Sequence, residues 1–405
     1  MAVSTPSSEL FKVPRFCPNP ECAHHQEINN KTGHWYVKRG FFPTQIRGKV
    51  QRFLCKACGI GFSSQTFHIS YLSHSDVDYE QISTLQRSCA GVRQICRAMG
   101  ITNRVYMNSV HRLARNNLAL FDLALADWQI NENAAMDGFE SFVVSQYSPT
   151  NVHLMAGSKS QFPYYMDLVV MNRKGRMTAK QELHRDILQQ HWTAPTAGIV
   201  NSCKMLFTEV LPMLSRYTPG EPWILYTDEK REYVTAMKQV RAFKEKLADK
   251  SILHIQINSK KDRNLQNRLF AVNYLDREIR TTSAGHVRET TRHDREVHMS
   301  ECRMMMWMGH HGFFKKFRIE EKKGRNKDLT HAEVAGILEV PGVKEAKQEL
   351  FTHRHLHSHR RSKLSWITKI WQRETKNPRY VNFETGKCED KGQPGNGELA
   401  RHLVA

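Results

Sequence analysis

The stretch AAMDGFESFVVS at residues 134–145 decides the fold prediction, because it has the composition of an apolar β-strand and carries a carboxylate, Asp137, within it. Two more strand-like stretches follow it, VHLMAG at 152–157 and YYMDLVVM at 164–171. Short polar turns join the three stretches, and the polar segment NRKGR follows the third. Three consecutive strands joined by short turns predict an antiparallel meander.

Two further strands are predicted downstream, from PWILYTD at 222–228 and ILHIQI at 252–257. Segments rich in good helix formers separate or follow the strands. They predict helices over 178–190, 199–214, 229–247 and 298–309. Five strands mixed with helices predict an α/β core, a mixed five-stranded sheet flanked by helices.

Two carboxylates in this core are candidate metal ligands, Asp137 within the first strand and Asp228 at the end of the fourth. A carboxylate on a buried strand is costly unless it is paired, hydrogen-bonded or bound to a cation. Two such strands side by side would present both carboxylates to one Mg²⁺, which takes one or two protein carboxylates together with phosphate oxygens. The alternative is that Asp228 only caps the helix that Thr227-Asp228-Glu229 opens.

Composition restricts the function classes. The 405 residues carry 60 Lys+Arg against 40 Asp+Glu, a formal charge of +20, which indicates a polyanionic partner and nucleic acid first. A hydrophobic content of 40% excludes wholesale disorder. The chain has no run of 18 apolar residues and its N-terminus lacks the apolar segment of a secretion signal, so we expect a cytoplasmic protein with no membrane contact.

The N-terminal cysteines predict a zinc site. Four of the nine cysteines fall in two close pairs, Cys17 with Cys22 and Cys55 with Cys58. Four thiolates on two tight turns suit the tetrahedral coordination of Zn²⁺, and short strand-like segments between the pairs are typical of a zinc ribbon. His24 and His25 lie close enough in the chain to compete as ligands, and four unrelated buried cysteines are the bland alternative.

Residues 91–110 have the pattern of a helix-turn-helix. Ile95 and Met99 would pack the first helix, Gly100 permits a tight turn, and Thr102 can cap the second helix. The polar residues that the second helix would offer to DNA are Asn103, Arg104, Tyr106 and Asn108 for the bases, with Arg112 for the phosphates. An ordinary helical hairpin would give the same pattern, but the positive charge favours DNA.

The order of these elements resembles that of the DDE/D transposases of bacterial insertion sequences, whose catalytic core is similar to ribonuclease H. The resemblance spans roughly residues 17–319. Its closest motif, MMMWMGHHGFFKKFRI at 304–319, is similar to the His-Asn-Phe-x-Lys-x-Tyr-Arg-Ile ending of that core. Gly312 stands where Asn is usual and Phe317 where Tyr is usual. The segment NYLDREIR at 273–280 also looks like this family.

The resemblance implies four regions along the chain. These are a zinc ribbon at 1–75, a small all-α helix-turn-helix domain at 76–128, a ribonuclease H-like catalytic core at 129–330 and a basic, His-rich tail at 331–405. It also implies a homo-oligomer that acts on two double-stranded DNA ends in a synaptic complex, close to the bacterial nucleoid.

The implied activity is DNA transposition: binding of the terminal inverted repeats, then Mg²⁺- or Mn²⁺-dependent strand cleavage and strand transfer. The metal ligands would be Asp137, Asp228 and a third acid on a helix that packs back against the first strand. Glu301 is our choice because it precedes the apolar helix that leads into the 304–319 motif, and Glu289 is its chief rival. A non-catalytic DNA-binding regulator is the main alternative function. A nuclease that uses the same core is the third possible function.

Overall fold

The computed structural model describes residues 14–25, 33–214, 221–258, 260–287, 290–317, 328–354 and 382–386. These residues form a small N-terminal sheet, a set of three helices, and a mixed five-stranded sheet flanked by helices. Throughout these ranges, no helix combines the length and the apolar character that crossing a membrane requires.

The N-terminal sheet has three antiparallel strands in the order β1-β2-β3. They are β1 (Tyr36–Thr44), β2 (Gly48–Cys55) and β3 (Gly61–Ser63). Its core is a group of aromatic rings, in which Phe62 stacks on Trp35 and Phe53 with centroids 5.8 and 5.4 Å apart. A core of this size buries little apolar surface, so the sheet needs an additional source of stability.

Three helices follow, α1 (Tyr79–Arg87), α2 (Val92–Met99) and α3 (Asn103–Ala126). The turn between α2 and α3 has the predicted features. Gly100 adopts a left-handed conformation with φ +64°, and the Thr102 hydroxyl accepts a hydrogen bond from the Val105 N–H. Ile95 is buried, as expected for the packed face of α2.

The large sheet has the strand order β6-β5-β4-β7-β8. The strands are β4 (Ala134–Phe142), β5 (Pro149–Gly157), β6 (Pro163–Val170), β7 (Trp223–Thr227) and β8 (Ile252–Gln256). Strands β4 to β6 form the predicted antiparallel meander, while β7 and β8 run parallel to β4. The prediction of a mixed five-stranded α/β sheet is therefore confirmed.

Helices cover both faces of this sheet. They are α4 (Ala179–His191), α5 (Gly198–Leu214), α6 (Arg231–Gln239), α7 (Arg241–Ala248), α8 (Phe270–Thr282) and α9 (Val297–Phe313), followed by the short α10 (His331–Val334) and α11 (Val343–Gln348). Ser202 of α5 contacts His153 of β5, whereas Arg280 of α8 lies over the ring of Phe139 in β4. Phe139 pairs with the residue before His153, so these side chains point to opposite faces of the sheet.

The helix predicted over 229–247 is two helices in the structure. Val240 lies between α6 and α7 with an extended backbone, and it serves as the C-cap of one helix and the N-cap of the next. The sequence has no glycine or proline at this point, so the composition gave no sign of the break.

Residues 328–354, most of which lie within the predicted tail, are folded. The segment contains α10 and α11, and its end is tied to the N-terminal part of the chain. The N–H of Ile69 donates to the carbonyl of Thr352 at 3.0 Å, and the N–H of Arg354 donates to the carbonyl of Phe67 at 2.8 Å. Most of the His-rich stretch from 353 to 361, by contrast, lies outside the described residues.

The helices of the predicted helix-turn-helix domain pack closely on the predicted core. Helix α3 is 24 residues long, and it packs along α9 of the core for much of its length. The Asn116 side chain of α3 donates to the carbonyl of Leu350, which joins the C-terminal segment to the same helix. The helix-turn-helix and the core therefore share one hydrophobic interior.

Gly312 has a packing reason for differing from the asparagine of the resembling motif. It lies in α9 against Phe162, and a Cβ atom at this position would stand 2.5 Å from Cε2 of that ring. Phe162 in turn packs edge-on against Phe313 with centroids 5.3 Å apart. Any side chain at 312 would therefore force these rings to move.

We expect Gly312→Ala to lower the free energy of unfolding by about 1–3 kcal/mol, because the methyl group overpacks the Phe162 contact. Helix propensity alone would act in the opposite direction, stabilising the helix by up to about 1 kcal/mol. The sign of the change in urea unfolding, followed by circular dichroism, distinguishes the two effects. A more stable variant would show that α9 is loosely packed here.

Candidate metal centres and nucleic-acid interface

The four N-terminal cysteines come together as one cluster. Their sulfur atoms all lie within 4.8 Å of one another. Cys17 Sγ is 3.6 Å from Cys58 Sγ, and Cys22 Sγ is 3.7 Å from Cys55 Sγ. A tetrahedron with Zn–S bonds of about 2.3 Å has edges of about 3.8 Å, so the four sulfurs fit a structural zinc ion.

The two nearby histidines have other contacts. His25 Nδ1 lies 2.8 Å from the carbonyl oxygen of Cys17, and the His24 ring stacks on Trp35. Desolvation alone would raise the pKa of the Cys58 thiol, but hydrogen bonds from the Ile60 backbone and neighbouring side chains lower it to about 7. A thiol with this pKa is partly ionised at neutral pH, the form in which it binds metal.

We expect Cys58→Ser to reduce the zinc content from about one ion per chain towards zero, because one of four ligands is lost. Cys58 is exposed, so the substitution removes little packing. Atomic absorption on the purified protein measures the change. Cys89→Ser is the matched control, because Cys89 lies outside the cluster, and zinc loss in both variants would contradict the assignment.

Sheet register brings Asp137 and Asp228 side by side. Met136 of β4 pairs with Thr227 of the parallel strand β7, so the two aspartates occupy the next position on each chain. Adjacent strands lie about 4.8 Å apart. Strand β7 ends at Thr227, whereas the neighbouring β4 continues to Phe142. We call the place beside β4 where β7 has ended the open step, and both carboxylates lie there. Their side chains are 19% exposed for Asp137 and 14% exposed for Asp228.

Each aspartate is oriented by further hydrogen bonds. Asp137 Oδ1 accepts from the Gly138 N–H at 2.7 Å and from the Tyr233 hydroxyl at 3.3 Å. Asp228 Oδ1 accepts from the N–H of Lys230 at 3.1 Å. The N-cap of α6 is Lys230 rather than Asp228, so the capping alternative for Asp228 is wrong.

The electrostatic field at this step favours a cation. Burial raises the pKa of Asp137, and the neighbouring Asp228 carboxylate raises it further, while Lys230 opposes the shift. Two carboxylates on adjacent strands repel each other when both carry a charge, and Lys230 supplies one compensating positive charge. A divalent cation would compensate the two carboxylates more fully.

A third carboxylate, Asp276, belongs to the same electrostatic group. It lies on α8, the helix that packs across β4 and β5. Burial raises the pKa of Asp276 to about 8, and the charge of Asp137 is the next largest contribution. Asp276 lies in the segment NYLDREIR, which resembles the transposase family, but it was not among the predicted site residues. The signal that could have identified it is that Asp276 is the first acid on the helix following the fifth strand.

Glu301 lies on α9, whereas Asp137 lies on β4 and Asp228 follows β7. Glu301 is 2% exposed in α9, which packs against α3 and β6. Strand β6 lies two positions from β4 in the sheet, a distance of about 9–10 Å. The rival Glu289 lies outside the described residues.

The five residues predicted to bind DNA divide into two groups. Asn103 and Arg104 are exposed at the start of α3, and Asn108 is half-buried. Tyr106 is 1% exposed and Arg112 is 6% exposed, so neither is presented to a groove. Arg112 Nη1 instead donates to the carbonyls of Ile69 and Tyr71, because the chain following the small sheet lies across this part of α3.

A basic loop adjoins the three aspartates. Residues 258–268 connect β8 to α8, and the exposed cations described within them are Lys260, Lys261, Arg263 and Arg268. Arg268 lies over the ring of Tyr226 in β7, two residues before Asp228, and the charge of Arg263 lowers the pKa of Asp276. The loop therefore offers positive charge to a polyanion beside the candidate metal centre.

No family model matches this chain, and a search of curated proteins gives no match either. The features that bear on its activity are therefore those of its own sites. These are a cysteine cluster, an exposed helix start in a helix-turn-helix, and three aspartates next to a basic loop.

Proposed function

We propose that this protein is a DNA transposase whose core is ribonuclease H-like and whose catalytic carboxylates are Asp137, Asp228 and Asp276. The observation that carries the proposal is the parallel register of β4 and β7, which puts Asp137 next to Asp228. The helix that packs back against β4 then contributes Asp276, as the resemblance to the DDE/D family requires of the third acid. The proposed triad is therefore three aspartates, rather than two aspartates and Glu301.

The proposed cofactor is Mg²⁺ or Mn²⁺. Three carboxyl groups give the oxygen ligands that these ions prefer, and a bound divalent cation would favour the ionised forms that burial disfavours when it raises the pKa of Asp137 and Asp276. When bound, the metal would activate the attacking hydroxyl and stabilise charge on the phosphate. The Tyr233 hydroxyl and the Gly138 N–H both donate to Oδ1 of Asp137, and we assign the other oxygen to the metal ion.

DNA recognition is assigned to the exposed start of α3 and to the basic loop. Asn103, Arg104 and Asn108 are the residues left to read bases, while the cations of 258–268 bind phosphates and make binding dependent on salt. Because α3 packs on α9, the exposed start of α3 is held at a fixed position relative to the large sheet. Strand transfer joins two DNA ends to a target, so the proposal includes a homo-oligomer.

The test is cleavage of DNA carrying the inverted repeats that flank the coding region, with Mg²⁺ or Mn²⁺ present. We expect the wild-type protein to cut at the repeat ends. Asp137→Asn, Asp228→Asn and Asp276→Asn should each lose about a thousandfold in rate, since each removes a metal ligand worth several kcal/mol. Binding of the same DNA, followed by gel shift, should persist in all three.

Glu301→Gln is the matched control, because it removes a charge of the same kind outside the proposed site. We expect it to keep activity within about tenfold of the wild type. Loss of cleavage in Glu301→Gln with activity retained in Asp276→Asn would reverse the assignment of the third acid. Repeat-specific binding without cleavage by any version would leave a DNA-binding regulator.

A further inference from the structure

Lys230 places its ammonium group between the two neighbouring aspartates. Its Nζ is 3.7 Å from Asp137 Oδ1 and 3.9 Å from Asp228 Oδ2. The same nitrogen donates to the carbonyl of Gly138 at 3.4 Å and lies 5.6 Å from the centre of the Tyr233 ring. The side chain remains 32% exposed, so the ammonium is at the mouth of the site and in contact with solvent.

Local structure does not account for a lysine at this position. Lys230 is the N-cap of α6, where Ser, Thr, Asn or Asp would be favoured, and it makes no side-chain capping hydrogen bond. A positive charge at a helix N-terminus is also opposed by the helix dipole. The features that favour the lysine are the two carboxylates its side chain reaches.

The backbone holds Lys230 in place for this role. Its N–H donates to Asp228 Oδ1, so the main chain is fixed to one carboxylate while the side chain extends back to both. Asp137 and Asp228 lie at equivalent positions on adjacent strands and repel each other when ionised. One ammonium placed between them offsets that repulsion without any metal ion.

We propose that Lys230 is a positioning residue, an internal counter-ion that holds Asp137 and Asp228 together. Its ammonium group moves away from the two carboxylates when a divalent cation binds. This inference rests on the proposed function, because it takes the two aspartates as metal ligands. A cation bound to both carboxylates would lie within a few ångströms of the ammonium, and the two positive charges would repel strongly. Lys230 therefore weakens metal binding as long as its side chain stays in place.

DNA gives the displaced ammonium a new partner. The lysine stem is long and flexible, its head is already partly in solvent, and a phosphate of the bound strand is the anion that arrives at this mouth. The same DNA also supplies phosphate oxygens to the metal. Lys230 thus couples metal binding to DNA binding, so that the metal is held tightly only when the substrate is present.

The experiment measures Mn²⁺ binding to the full-length, zinc-loaded protein without DNA, by electron paramagnetic resonance of the free ion. We expect Lys230→Met to bind Mn²⁺ at least about tenfold more tightly than the wild type, because a nearby positive charge is removed. Lys230→Arg keeps the charge and should bind as weakly as the wild type. Lys238→Met, an exposed position on the same helix, is the control and should change nothing.

Asp137→Asn separates the two proposals. Equal Mn²⁺ affinity in wild type and Lys230→Met, lost in Asp137→Asn, would overturn the counter-ion role and leave the metal site intact. Mn²⁺ binding that is insensitive to Asp137→Asn in every version would contradict both the site and the lysine. Equal tightening in Lys230→Met and Lys230→Arg would also overturn the inference, because the effect would then follow shape rather than charge.

Discussion

Asp137 and Asp228 stand at the same level on two parallel strands, and the repulsion between their carboxylates is the constraint that organises the surrounding residues. The Tyr233 hydroxyl and the backbone N–H groups of Gly138 and Lys230 donate hydrogen bonds to the carboxylate oxygens. The Lys230 ammonium lies between the two side chains. A third acid, Asp276 of α8, interacts electrostatically with Asp137. A divalent cation would offset the charge of this group of acids. A polyanionic substrate would offset the net charge of +20 of the whole chain.

Contacts among the described residues hold the two aspartates at a fixed position relative to the helix-turn-helix. Helix α3 begins in the turn that follows Gly100 and continues into the core, where it packs along α9. The segment up to Arg354 returns to the N-terminal region and bonds to Phe67 and Ile69. The four cysteines form a cluster compatible with zinc at that end, and a bound zinc ion would stabilise the small sheet, whose aromatic core is limited.

Much of this organisation could be predicted from the sequence, because it follows from local patterns. Apolar runs between polar turns located all five strands of the large sheet, and paired cysteines located the zinc cluster. The Gly100-Ile101-Thr102 pattern located the turn of the helix-turn-helix, since a left-handed residue and a capping hydroxyl have specific requirements. Asp137 and Asp228 were identifiable because each interrupts or ends an apolar strand.

The remaining features depend on which elements meet in three dimensions. The proposal of Asp276 as the third acid rests on the packing of α8 against β4, a tertiary contact that the sequence pattern of the helix does not reveal. Tyr106 and Arg112 were expected on a DNA-binding face, but Tyr106 is enclosed by its neighbours and residues 69–71 receive the Arg112 guanidinium. The contact of Lys230 with both aspartates is likewise visible only once β4 and β7 are paired.

The most direct test of the proposed catalytic centre is anomalous diffraction from crystals of the protein soaked in Mn²⁺. The account predicts an anomalous peak about 2.2 Å from carboxylate oxygens of Asp137 and Asp228, with Asp276 facing the ion and Lys230 turned away. A peak at Glu301, or no peak near Asp137 in crystals whose cysteine cluster holds its metal, would contradict it.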